Sequence, residues 1–239
     1  MGQHLEGAPV SAGTAEAAEP NPFESVRLWR PEAIVFDCDG LLLDTESVWD
    51  GTQQHILQRY GATLSEEQSL AIMGTSVSDT ARIIADAAGR PFDQVRADIV
   101  EQFDLDLHGN IRLMDGVVEF LDLVHGQLPL AVASNSERDQ LQVKLGESGL
   151  RRYFDAAVSA QDVPKEKPAP DMYEKAAREV GADPARSLGF EDSPVGARAA
   201  LAAGLTLIGV PSTEQPVTGA HITIRSLRDE NLLDWVCSW

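Results

Sequence analysis

The chain has few of the residues that build disulfide scaffolds, membrane spans or nucleic-acid surfaces. Only two of its 239 residues are cysteine, too few for a disulfide framework or a cysteine-rich metal site. It has 19 basic against 38 acidic residues and a formal charge of -19, which argues against nucleic acid as a partner. No run approaches the roughly 18 apolar residues of a membrane span, and residues 1–30 lack the pattern of a secretory signal. We expect a cytoplasmic protein without membrane contact.

Short apolar runs alternate with helical stripes from Pro31 onward. Strands are predicted at Ala33–Phe36, Leu130–Ala133, Ala156–Val158, Ser187–Phe190, Leu205–Val210 and His221–Ile224. Strands that alternate with helices indicate an α/β fold, a doubly wound parallel sheet covered on both faces. Residues 1–30 have no such periodicity and are predicted to be a disordered leader.

Residues 45–113 break the alternation, because their apolar residues recur at helical spacing with no strand run between them. We interpret this stretch as an all-helical cap domain inserted after the first strand. The core domain is then made of residues 31–44 and 114–239.

Two carboxylates follow the first predicted strand directly. Asp37 and Asp39 are two residues apart, so in extended chain their side chains point to the same side. A polar strand-to-loop turn is the simpler interpretation of such a pair taken alone.

Other polar residues follow later strands of the same predicted sheet. Ser134 and Asn135 come after the second strand, Lys167 lies in the loop after the third, and Glu191 and Asp192 come straight after the fourth. Each could be a helix cap, a solvated charge or an acidic turn. Because ligands bind outside the carboxyl ends of parallel strands, these residues are expected to converge with the two aspartates.

Such a cluster of carboxylates requires a cation, because neighbouring negative charges raise each other's pKa and one lysine cannot offset them all. Oxygen ligands with a phosphate nearby favour Mg²⁺. The five histidines fall in no ligand spacing, so histidine is not expected to hold the metal.

These residues resemble the four ordered motifs of the haloacid dehalogenase superfamily. The matching segments are Asp37–Glu46, Ser134–Asn135, Lys167–Asp171 and Glu191–Ser193. The nearest resemblance, over about residues 31–215, is to the small phosphatases and β-phosphoglucomutase that carry a helical cap after the first strand. Glu166 departs from the pattern, because the family commonly has glycine there.

The resemblance implies a role for each residue in catalysis. Asp37 would be the nucleophile that forms an aspartyl phosphate, and Asp39 would be first the general acid and then the base. Ser134 and the Asn135 amide would hold the phosphoryl group, and Lys167 would place positive charge beside it.

The resemblance also implies a Mg²⁺ site and a substrate loop. The metal would be held by Asp37, the backbone carbonyl of Asp39 and Asp192, with Glu191 in or just outside the coordination shell. The stretch Met73–Ser78 is either the specificity loop or a plain turn between helices; as a specificity loop it would bind substrate through Gly74, Thr75 and Ser76.

Basic residues that are missing from the predicted cap limit the reactions that the chain could catalyse. Residues 45–113 contain no lysine, which excludes the imine chemistry of the phosphonatase branch, and Val77 stands where the mutase would have an arginine. We therefore predict a Mg²⁺-dependent phosphatase, most simply a monomer, acting on a small phosphorylated metabolite resembling a sugar phosphate. Two alternatives stay open: a β-phosphoglucomutase-type mutase, and a catalytically silent module that binds phosphate or a partner.

Overall fold

The computed structural model describes residues 21–72, 77–213 and 215–239, and its centre is a parallel β-sheet. Within those residues the sheet has six strands: β1 (Ile34–Phe36), β2 (Leu130–Ala133), β3 (Ala156–Val158), β4 (Leu188–Glu191), β5 (Thr206–Gly209) and β6 (Ile222–Thr223). Their order is β3-β2-β1-β4-β5-β6, and every pair is parallel. Strands β1 and β2 are buried along their whole length, which is why they are continuous apolar runs without alternation. Strand β4 is buried as well, although its last residue is Glu191.

Four helices make up the described part of the insertion that follows β1. They are α1 (Glu46–Tyr60), α2 (Glu66–Ala71), α3 (Val77–Ala88) and α4 (Phe92–Leu107). Of these, α1, α3 and α4 share an apolar core of their own, which includes Ile56, Ile84 and Ile99. The predicted loop Met73–Ser78 ends earlier than expected, since Val77 already begins α3. Gly74, Thr75 and Ser76 lie outside the described residues.

In the described part of the chain, five further helices cover the sheet: α5 (Val117–Val124), α6 (Arg138–Glu147), α7 (Asp171–Glu179), α8 (Pro194–Ala202) and α9 (Glu230–Cys237). One apolar cluster joins the sheet to α5, α6 and α9, and a second joins it to α7 and α8. The predicted doubly wound α/β fold is therefore confirmed. No helix in the described part of the chain is long and apolar enough to cross a membrane.

The segments that lead into and out of the helical insertion run side by side. Asp44 donates its N–H to the carbonyl of Arg112 at 2.9 Å, and Met114 donates to the carbonyl of Leu42 at 3.0 Å. The chain therefore enters and leaves the helical insertion at the same place, directly after β1.

Residues 21–30 differ from the prediction of a leader that is disordered through residue 30. Phe23 is buried, with its ring centroid 5.2 Å from that of Trp235 on α9, and Trp29 stacks on the same indole at 6.2 Å. The indole N–H of Trp235 also donates to the carbonyl of Val26 at 3.0 Å. The three large aromatic surfaces hold this short segment although it lacks periodicity. The rest of the predicted leader, residues 1–20, lies outside the described residues.

Candidate active site

Asp37 and Lys167 are brought together at the carboxyl end of the sheet as a buried ion pair. The ammonium group of Lys167 donates to Oδ1 of Asp37 and, at 2.7 Å, to Oε1 of Glu191. The lysine side chain is 4% exposed and that of Asp37 is 10% exposed. Asn135 fixes the lysine loop, since its side chain accepts the N–H of Lys167 at 3.0 Å and donates to its carbonyl at 3.4 Å.

Glu191 is the last residue of β4, because this strand ends one residue later than predicted. Its side chain is completely buried. Oε1 accepts from Lys167 and, at 2.8 Å, from the hydroxyl of Tyr173. Oε2 accepts the N–H groups of Asp192 and Ser193 at 3.2 Å and the Ser193 hydroxyl at 3.0 Å. Through these five hydrogen bonds, Glu191 joins Lys167 to the turn that begins α8.

Carboxylate oxygens of Asp37, Glu191 and Asp192 lie within 4.8 Å of one another. Burial raises the pKa of Asp37 well above its usual range, and the charges of Glu191 and Asp192 add to this although Lys167 opposes it. Burial and the charge of Glu191 likewise raise the pKa of Asp192 to about 7. One lysine therefore does not offset all three carboxylates when they are ionised, and their all-oxygen donor set suits Mg²⁺.

The Asp39 carboxylate is held by a different set of residues. Oδ2 accepts from Ser134 Oγ at 3.1 Å and Ser136 Oγ at 3.0 Å, and Oδ1 accepts from Lys144 Nζ at 2.6 Å. Burial acts to raise its pKa, but the charge of Lys144 and hydrogen bonds from Lys144, Thr45 and Ser136 together lower it to about 2. Asp39 is thus an ionised carboxylate in this arrangement, and the predicted phosphoryl ligand Ser134 points its hydroxyl at Asp39.

Sequence reasoning missed several residues of the site. Ser136 follows Ser134 at the two-residue spacing that had singled out Asp37 and Asp39, so the same signal was present. Tyr173 falls in an apolar helical pattern that indicates no polar role, and Lys144 and Ser212 lie in no motif. The hydroxyl of Ser212 donates to Oδ2 of Asp192 at 2.6 Å.

Comparison with known proteins identifies the family. The sequence model of the haloacid dehalogenase-like hydrolases matches residues 34–210. This chain belongs to that family. The superfamily predicted from the four motifs is therefore confirmed, and the matched stretch contains every residue of the site described above except Ser212.

Several relatives of this hydrolase are named phosphatases. It is 32% identical to fructose-1-phosphate phosphatase YqaB of Escherichia coli (strain K12) over 186 residues, which is 76% of this chain and 97% of that protein. It is 35% identical to the mitochondrial (DL)-glycerol-3-phosphatase 1 of Arabidopsis thaliana over 218 residues, 84% of this chain and 72% of that one. The crystal structure of CbbY from Rhodobacter sphaeroides with phosphate superposes with a TM-score of 0.67 at 28% identity, covering 83% of this chain and 95% of that one. The protein is a phosphoric monoester hydrolase of this superfamily.

Gly40 is needed for the close approach of the Asp39 turn to Asp192. Its φ is +79°, and a Cβ there would lie 2.1 Å from Oδ2 of Asp192 and 3.0 Å from Oγ of Ser212. We expect Gly40→Ala to displace the Asp192 carboxylate and to lower kcat/KM for phosphate-ester hydrolysis by about 10- to 100-fold, the scale of a misplacement near 1 Å. Initial rates of phosphate release measure this.

Gly61 supplies a matched control for that substitution. Its φ is +60°, but a Cβ there would meet nothing within 4 Å. Both variants therefore carry the strain of a left-handed alanine, about 1 kcal/mol in urea unfolding, and only Gly40→Ala should lose activity. An equal loss of activity in Gly61→Ala would show that strain, and not the Asp192 contact, is responsible.

Proposed function

We propose that this hydrolase is a Mg²⁺-dependent phosphatase that acts on a small phosphorylated metabolite of the sugar phosphate kind, through an aspartyl phosphate on Asp37. The observation that carries the proposal is the buried contact of Asp37 with Lys167, beside the carboxylates of Glu191 and Asp192. A nucleophile, a fixed cation and a group of oxygen ligands then share one place at the carboxyl end of the sheet.

The first step would transfer the phosphoryl group to the protein. A carboxylate oxygen of Asp37 forms the bond to phosphorus while the bond to the substrate's alcohol oxygen breaks, and Asp39 gives a proton to that oxygen. Lys167 lies against the attacking carboxylate and stabilises the charge on the phosphoryl oxygens. Because Asp39 is ionised while Lys144 holds it, it first takes up a proton from solvent, and this is the proton that it gives to the leaving oxygen.

The second step would release phosphate. Water attacks the phosphorus atom, Asp39 accepts its proton, and the bond between phosphorus and Asp37 breaks. Asp39 is well prepared for this step, because the groups around its carboxylate leave it ionised. The nucleophile returns to its starting state.

The donor set fits a divalent cation. When all four carboxylates of the site are ionised, they outnumber its two ammonium groups by two, the charge of one such ion. Asp37 and Asp192 each have a second oxygen beyond the one bonded to Lys167 or Ser212. We infer that these two side chains and the Asp39 carbonyl hold Mg²⁺, and that Glu191, with five hydrogen bonds, stays just outside. When bound, the ion would neutralise charge on the phosphoryl group.

The test combines turnover with metal-dependent stability. We expect phosphate release from fructose 1-phosphate, glycerol 3-phosphate or p-nitrophenyl phosphate with Mg²⁺, loss of release with EDTA, and recovery when Mg²⁺ is restored. Mg²⁺ at 100 times its dissociation constant should stabilise the folded wild type by about 2.7 kcal/mol. Asp192→Asn should remove most of that gain, as measured by thermal unfolding.

Each alternative predicts a different result. A mutase would convert β-glucose 1-phosphate to glucose 6-phosphate and release little phosphate. A silent module would gain stability with phosphate yet hydrolyse none of the esters, including the activated p-nitrophenyl ester. Hydrolysis that persists in EDTA would contradict the role of the metal.

A further inference from the structure

Lys144 is a buried lysine on a helix face that is otherwise apolar. It lies on α6 among Leu141 and Leu145, which are buried beside it, and its side chain is 3% exposed. A lysine is rarely buried unless polar or charged partners offset its lost hydration. The contacts of its ammonium group therefore explain why it is there.

The ammonium group of Lys144 contacts three parts of the molecule. It donates to Oδ1 of Asp39 at 2.6 Å and to the hydroxyl of Ser136 at 2.8 Å. It also lies 5.8 Å from the ring centroid of Phe103 on α4, the last helix of the insertion. Ser136 in turn donates to Oδ2 of Asp39. Lys144 and Ser136 thus hold both oxygens of a single carboxylate.

These contacts fix the direction in which Asp39 points. Oδ2 also accepts from Ser134, so the carboxylate is held by groups from the loop after β2 and from α6. A general acid or base works only within hydrogen-bond reach of the proton that it transfers. A displacement of about 1 Å can cost on the order of 100-fold in rate.

A contribution to stability alone does not account for this lysine. Buried ion pairs seldom stabilise a protein more than well-packed apolar residues of similar size in place of both partners, so stability alone gives no reason for a charged pair between α6 and Asp39. The partner carboxylate, moreover, is two residues from Asp37 and not on a neighbouring structural helix.

We propose that Lys144 is a positioning residue of the phosphatase reaction, which orients the Asp39 carboxylate for proton transfer to and from the reacting oxygens. The inference rests on the proposed function, in which Asp39 is the acid and base. Lys144 does not need to touch the substrate. Because Asp39 is the acid that protonates the leaving oxygen, removal of Lys144 should most reduce the hydrolysis rate of esters whose leaving oxygen requires a proton.

The test compares two leaving groups in the Lys144→Met variant. We expect kcat/KM for the alkyl phosphate that the wild type hydrolyses best to fall by about 10- to 100-fold, part of the usual contribution of general acid catalysis. For p-nitrophenyl phosphate, whose leaving group departs without a proton, we expect a loss of less than about threefold. Because kcat/KM covers the steps up to departure of the leaving group, the later attack of water does not obscure the difference.

Three further variants complete the experiment. Lys144→Arg keeps the charge and should recover part of the alkyl ester activity, and Ser136→Ala should show a smaller loss with the same dependence on leaving group. Lys175→Met removes a half-exposed lysine of α7 and should leave both values unchanged. If Lys144→Met does not fold, the Lys144→Arg and Ser136→Ala variants test the proposal through the same comparison of the alkyl and p-nitrophenyl esters.

The outcomes separate this inference from the proposed function. Equal losses on both esters, or no loss on either, would overturn the role of Lys144 while the phosphatase reaction stands. A wild type that hydrolyses neither ester would overturn the proposed function, and this inference with it.

Discussion

Replacing Asp37 by asparagine is expected to abolish turnover while leaving the protein folded. An amide cannot attack phosphorus to form the covalent intermediate, so phosphate release should fall by roughly 10⁴-fold or more, the scale seen when a covalent nucleophile is removed. The substitution keeps the shape of the side chain, and Lys167 keeps its contact with Glu191. Initial rates of phosphate release with Mg²⁺ measure the effect.

The stability of the Asp37→Asn variant should not fall below that of the wild type. Burial and the neighbouring carboxylates raise the pKa of Asp37, so the folded state favours a neutral side chain there. Above the ordinary carboxyl range the charged form costs stability, and the amide removes that cost. Thermal unfolding near neutral pH without divalent cation should therefore show an equal or higher midpoint.

A matched control is available on α6. Asp139→Asn removes an exposed carboxylate and should leave both activity and stability unchanged. The assignment of the nucleophile would be refuted if Asp37→Asn released phosphate faster than the expected residual rate while mass spectrometry showed that the asparagine was intact.

Replacing Lys167 by methionine should reduce both activity and stability. The variant loses the cation beside the attacking carboxylate, so kcat/KM should fall by about 10²- to 10³-fold, as when one electrostatic donor is removed from a buried site. Its 4% exposed side chain also pairs with Asp37 and Glu191, and an uncompensated buried charge costs about 3–5 kcal/mol. Urea unfolding without metal measures the second effect.

A double variant distinguishes the two effects. In Lys167→Met with Glu191→Gln, the amide nitrogen can donate to the Tyr173 hydroxyl, which lies 2.8 Å from Oε1 of Glu191 in the wild type. We expect the double variant to regain roughly 1–2 kcal/mol of stability, within the range of coupling between contacting residues, and to stay inactive. Lys165→Met, in the same loop but exposed, should behave as the wild type. Recovery of activity along with stability would show that Lys167 has no electrostatic role in the reaction.

Much of the fold could be predicted from the sequence because its signals are local. The predicted Leu130–Ala133 and Ala156–Val158 coincide with β2 and β3, and the other strands differ by one residue at one or both ends. Buried parallel strands are short apolar runs, and such runs stand out against the helical stripes. The ordering of residues 21–30 was missed, since their partner Trp235 is distant in sequence.

The convergence of Asp37, Lys167, Glu191 and Asp192 was predictable for a topological reason. Each follows or ends a strand, or lies in a loop after one, and the carboxyl ends of parallel strands meet at one edge of the sheet. Knowing the strand pattern was therefore enough to place these side chains near one another without any coordinates.

By itself the sequence determined the α/β architecture, the place of the helical insertion and the residues at the strand ends. Only the tertiary structure decided that a second buried lysine, Lys144, meets Asp39 and that Tyr173 meets Glu191. Strand ends share an edge in every parallel sheet, whereas the direction in which a helix side chain points depends on how that helix packs. The packing of α6 and α7 arises from contacts between residues far apart in the chain, and no local pattern records it.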